Sequence, residues 1–162
     1  MNAPPPDSSE GQKTDAPAVP SQVQDAERAV RRTLSTGWWL LAVSLPLGVT
    51  LEALHGFKVE AYLASQTRRE LWRLAHAHGT LLGILCLVFG ALAERHIAPS
   101  VRRAVAWQLA WGAVLMPLGF FFGGILNSEG DPSVGIVLVP VGAGLLIAAL
   151  TRAARNQQET KY

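Results

Sequence analysis

The sequence is short of the residues from which soluble machinery is built. It holds a single cysteine, which excludes an internal disulfide framework and any cysteine-rich zinc site. Charged side chains make up 16% of the chain, well under the roughly 25% of a soluble globular domain. Lysine and arginine form no run and the formal charge is only +2, so the basic footprint of a nucleic-acid binder is missing. No phosphate-cradling loop and no nucleophile–base pair is visible, which argues against a self-contained enzyme. The first residues have no basic start followed by an apolar run, so no signal peptide is expected.

What the chain has in excess is apolar surface. It is 49% apolar over 162 residues, with a mean hydropathy of +0.23. Half of its ten prolines fall in the first twenty residues, so the remainder is more apolar still. Residues 1–26 are rich in Pro, Ser, Asp and Gln and cannot bury enough surface to offset their ordering entropy; a disordered tail is expected. A membrane domain over 27–155 follows, with spans at about 37–56, 71–93, 104–126 and 133–151, then a short tail over 156–162. Crossing a hydrocarbon core of about 30 Å takes roughly 20 helical residues, which each span supplies or nearly supplies. Residues 81–92 and 114–126 carry no charge on any face, which a soluble bundle could not accept. The fold class is therefore all-α: an integral membrane bundle of four transmembrane helices.

Local signals mark the boundaries. Thr67-Arg68-Arg69-Glu70 fits a capping box with Thr67 as N-cap. Pro99 suits the start of span three and Asp131-Pro132 the start of span four. Pro46, Pro117 and Pro140 fall inside spans, where they are tolerated as kinks. Nine basic residues flank one side: Arg28, Arg31, Arg32, Arg95, Arg102, Arg103, Arg152, Arg155 and Lys161. The other side has four, Lys58, Arg68, Arg69 and Arg73. The positive-inside rule then puts both termini in the cytoplasm, in a bacterial inner membrane. Trp38, Trp39 and Trp107 fall near the inner interface and Trp72 near the outer one, while Trp111 reads as packing.

Ionisable groups inside spans are costly and mark sites by default. Glu52 and His55 close span one; His76 and His78 open span two. At a rise of 1.5 Å per residue they lie about 8, 3, 6 and 9 Å below the outer edge, in one layer. Glu52-x-x-His55 has the Glu-x-x-His spacing of carboxylate metal centres in helical bundles, but no carboxylate lies within the other three spans. That argues against a full dinuclear centre and leaves a mononuclear copper or zinc site on Glu52, His55 and His76, or a haem held by His76 or His78. A proton or quinone site is a second reading. The third is structural, Glu52 pairing with Arg73 or His76 to set helix register. His76 continues into Gly79, Thr80, Gly83, Cys86 and Gly90, a stripe of small residues that lets helices approach closely. His76 thus looks inward, whereas His78 faces lipid, another subunit or a cofactor. Cys86 reads as packing, His96 as a surface residue, and Gln108 as a hydrogen-bonding group across helices.

The stretch Leu74-Ala75-His76-Ala77-His78-Gly79 resembles the His-x-His-Gly starts of helices in small bacterial integral membrane proteins. It is also loosely similar to histidine-bearing helices of the haem–copper oxidase and nitric oxide reductase group. The resemblance covers those six residues and implies membrane haem chemistry without assigning a ligand. Two functions stand open: an inner-membrane protein with a metal- or haem-binding site in a redox context, or a structural or accessory subunit of a homo-oligomer or larger membrane complex. A small transporter is a weaker third.

Overall fold

The computed structural model describes residues 21–125 and 131–159, all of whose regular structure is helical. Helix α1 runs Ser21–Gly56, a four-residue α2 Glu60–Leu63, α3 Gln66–His96 and α4 Pro99–Ile125. A 3₁₀ turn over Val134–Val137 leads into α5, Leu138–Glu159. Four helices are long and apolar enough to cross a membrane: α1, α3, α4 and the last, counted from Val134.

Helix α1 starts at Ser21, inside the segment expected to be disordered. Ala26, Val30, Thr33 and Gly37 explain why: they recur at helical spacing and are all buried. The polar residues between them dominate the composition and hide that stripe. Residues 1–20 lie outside the described residues. At its far end α1 closes in a Schellman motif, Val59 N–H to Leu54 C=O and Lys58 N–H to His55 C=O, with Lys58 at φ 55°.

The N-cap of α3 is Ser65, not Thr67. Its extended backbone ends the loop, and its hydroxyl accepts from Arg68 N–H at 3.2 Å. Glu70 is then too far along to close a box, and it accepts from Gln66 Nε2 instead. Pro99 opens α4 as expected. Asp131-Pro132 does not open the last helix: Ser133 precedes the 3₁₀ turn, and Pro140 falls in the first turn of α5, where a missing N–H is tolerated.

Helix α4 is the centre, packed by α1, α3 and α5; α3 also packs along α1. Among the described residues α5 makes no extended contact with α1 or α3, so the bundle is open on one side rather than a closed square. Leu82 and Cys86 of α3, Val105, Leu109 and Ala113 of α4, and Leu146 and Ala149 of α5 form the core. Helices that pack within hydrocarbon gain little from burial of such groups and rely on close packing and hydrogen bonds.

Glycine makes that packing close. A Cβ on Gly37 of α1 would stand 2.8 Å from the Gly83 carbonyl oxygen of α3, and one on Gly142 of α5 would stand 2.8 Å from Met116 N of α4. Backbone meets backbone at both seams, as the small-residue stripe predicts for α3.

Buried polar groups fasten the helix ends. Arg102 is buried and donates from Nε and Nη2 to Ile97 C=O and from Nη2 to Glu94 C=O, covering carbonyls at the end of α3 where positive charge is favoured. Asn156 of α5 accepts from Ala98 N–H at 2.9 Å, tying the last helix to the same corner. At the opposite end Arg68 donates to Gly124 C=O and to Ala61 C=O. Trp72 lies stacked between Tyr62 and Phe121 and donates to Phe121 C=O. Its ring is held by packing and by that hydrogen bond.

Candidate functional site

The ionisable layer predicted near one end of the bundle divides into two parts. His76 turns from α3 into α1. Its Nδ1 meets Ser44 C=O at 2.7 Å, and a carbonyl can only accept, so Nδ1 is the donor of that bond. The ring sits in the gap left by Gly48, where an added Cβ would fall 2.4 Å from Cε1. Next to it Gly79 makes room for Ser44, whose hydroxyl oxygen would lie 2.1 Å from a Cβ there. The inward placement of His76 thus follows from two glycines, one on each helix.

His78 turns the other way, as a separation of two residues requires. Its Nδ1 donates to Leu74 C=O one turn back at 2.9 Å, and its ring lies tilted on Phe120 of α4, centroids 4.8 Å apart. It is half-buried in the α3–α4 contact, not turned to the outside as one sequence reading had it.

Glu52 and His55 join neither histidine. Both are exposed on α1. Among the described residues Glu52 forms no ion pair with Arg73 or His76; the ion pairs there are those of Asp25 with Arg28 and Arg103, at the other end of the molecule. Also among the described residues, no three His, Cys, Asp or Glu side chains gather closely enough to hold a metal ion. Helical phase explains the separation. Ser44, Gly48 and Leu51 share the face of α1 that carries buried or close-packed positions, and Glu52 is about 100° round from Leu51.

Two further expectations change. Gln108 does not hydrogen-bond across helices: its Oε1 is buried with no partner among the described residues. Trp111 does not pack inside: it is 48% exposed, with its ring tilted against that of Trp107 at 6.3 Å. Cys86 is fully buried, and His96 is exposed and bonded to its own helix.

The sequence reading missed the buried carbonyl-capping role of Arg102. A basic residue four positions into a helix that follows a two-residue connection is the signal that could have found it. Searches of protein families, of curated proteins and of solved structures find no match to the chain.

Proposed function

We propose that this chain is a multi-pass protein of the bacterial inner membrane, with both termini in the cytoplasm, and that it works as an accessory or structural subunit of a larger membrane assembly. Glu52 carries this reading. It stands exposed on α1, about 8 Å inside the hydrocarbon edge by helical rise, beside the exposed apolar Val49. A carboxylate facing acyl chains is costly, and such groups almost always turn to protein or a water-filled cavity. A neighbouring subunit that offers a cation or a hydrogen-bond donor to Glu52 removes the cost. The apolar residues around it supply the rest of a contact face.

The test is the particle mass of the full chain, extracted in mild detergent, for wild type and for Glu52→Leu. The reading expects an assembly heavier than one chain and its dissociation in the variant. Wild-type protein that is folded and monomeric both in detergent and by cross-linking in native membranes would sink it.

A cofactor role is a second reading, favoured by one observation. Both His76 and His78 donate Nδ1–H to a main-chain carbonyl, which leaves Nε2 as the basic nitrogen, the arrangement that orients a ligating imidazole. Haem at either histidine, or copper or zinc with Glu52 and His55 drawn in, would show as a Soret band or a near-stoichiometric metal in purified protein. A colourless and metal-free sample would remove this reading and leave the first untouched.

A further inference from the structure

A large cavity lies not in the histidine layer but at the opposite end, between α1 and α4. It is an open-sided cleft of about 1170 Å³, above the roughly 300–1,000 Å³ of ordinary small-molecule pockets. Its lining changes character along its length. At one end Arg28 and Arg32 of α1 stand with Arg103 of α4. Among the described residues Asp25 is the one carboxylate lining it, shared at 3.9 Å with Arg28 and 3.6 Å with Arg103. Arg32 is exposed and forms no ion pair among the described residues. Three guanidinium groups against a single carboxylate leave the head of the cleft positive.

Further along, the charge stops. Trp107 and Trp111 present half-exposed rings, and the cleft ends at Val114. Gln108, one residue on from Trp107, lines the aromatic half, and its Oε1 is buried without a partner among the described residues. From Ser100 to Val114 the helix rises about 21 Å. That equals half of a bilayer of about 40–45 Å including its headgroups.

We infer that this cleft holds one anionic phospholipid of the leaflet on the basic side, its phosphate against Arg28, Arg32 and Arg103 and an acyl chain along Trp107 and Trp111. The inference rests on the membrane-spanning reading above. The charge, the polarity gradient and the length all match this ligand. A soluble anion would fill the head alone and leave the aromatic half of the cleft uncovered. Basic pockets between membrane helices recognise anionic headgroups by the same chemistry.

The test uses the full chain in phosphatidylcholine vesicles that contain a small, equal fraction of either brominated phosphatidylglycerol or brominated phosphatidylcholine. Bromine quenches tryptophan on contact. The anionic probe should quench with a roughly five- to tenfold preference at low salt, and the preference should shrink as ionic strength rises. Trp107→Phe with Trp111→Phe should remove the excess, and Arg32→Gln with Arg103→Gln should bring the two probes level. Flotation with the vesicles and far-ultraviolet circular dichroism establish that each variant is inserted and helical. Should the arginine variant fail to insert, the salt dependence of the wild type decides in its place. Equal quenching of the inserted wild type overturns the site, as does an excess that survives either double substitution or is independent of salt. So does a second copy of the chain cross-linked through the cleft. A chain washed from vesicles by alkaline carbonate overturns the membrane reading and the lipid site with it, whereas inserted protein with level quenching overturns the lipid site alone.

Discussion

Helix α1 takes part in two contacts of opposite character. Along α3 it forms a dry seam in which Gly37 and Gly83 bring the two backbones together and a histidine ring fills the space over Gly48. Along α4 it meets its neighbour at Thr33, whose hydroxyl lies 3.1 Å from Ala106 C=O, and then stands off to leave the cleft. Both contacts contain polar groups. In the seam His76 donates to the Ser44 carbonyl, whereas in the cleft three guanidinium groups face one carboxylate among the described residues. Close packing and hydrogen bonds of the first kind hold membrane helices together, whereas the second is the place proposed above for a lipid.

One kind of substitution, a small residue to leucine, breaks or sharpens that contrast. In the seam it should be severe. Gly83→Leu would drive a Cβ into contact with Leu41 and Leu40 at 3.1 and 3.2 Å and with the Gly37 carbonyl oxygen at 3.2 Å, and backbone cannot yield as a side chain does. A loss of about 3 kcal/mol is expected, at the upper end of overpacking costs, read as the shift in unfolding of the purified protein in mixed micelles. Stability within experimental error of wild type would mean that α1 and α3 do not meet as described.

Arg102→Met comes next. It keeps most of the side-chain volume but leaves the Glu94 and Ile97 carbonyls at the end of α3 without their donor. Hydrogen bonds to charged groups contribute roughly 1.5–3 kcal/mol, so a loss of about 2 kcal/mol is expected in the same unfolding measurement. Arg102→Lys should recover part of it, since one ammonium cannot serve both carbonyls in the guanidinium's geometry.

The seam was legible in the sequence and the cleft was not, for a physical reason. Small residues at spacings of three and four identify a close-packed face from one helix alone, so His76, Gly79, Gly83 and Cys86 announced themselves. Helix number followed from apolar run length in the same way. A cleft depends on how two helices diverge, which no single helix encodes; Arg28, Arg32 and Arg103 read only as topology signals and Trp111 only as packing. The position of Glu52 shows the same limit. Its depth could be computed from the rise per residue, but its exposure depends on which face α3 chooses, and that choice is made by Ser44, Gly48 and Gly79. The cap at Ser65 was missed because a Thr-x-x-Glu spacing two residues later satisfied the same rule.

Thr33→Val tests the joint where seam and cleft meet. The isostere keeps the shape but removes the hydroxyl that lies within hydrogen-bond distance of Ala29 and Ala106 carbonyls. The backbone oxygen of Ala29 retains its helical bond, so one interhelical hydrogen bond is lost, a cost of about 1 kcal/mol. If that contact orients α1 on α4, the variant should also weaken the preference for brominated phosphatidylglycerol, because Arg28 and Arg32 lie on the turns just before it. A loss of stability with unchanged lipid preference would separate the joint from the cleft.

The smallest effect is expected where an added side chain meets no packed neighbour. Ala110→Leu adds three carbons to a residue that lines the cleft beside Trp107 and Trp111. In the seam such an addition collides with backbone, but here it enters open space, and the stability should stay within about 0.5 kcal/mol of wild type, as for substitutions away from packed features. The same leucine occupies the path assigned to the acyl chain. Stability and lipid contact should therefore part company: unfolding in mixed micelles unchanged, quenching by the anionic probe reduced toward that of phosphatidylcholine. If Ala110→Leu instead destabilised the protein as Gly83→Leu is expected to, the α1–α4 contact would be packed as tightly as the α1–α3 seam, and the difference between the two regions would disappear.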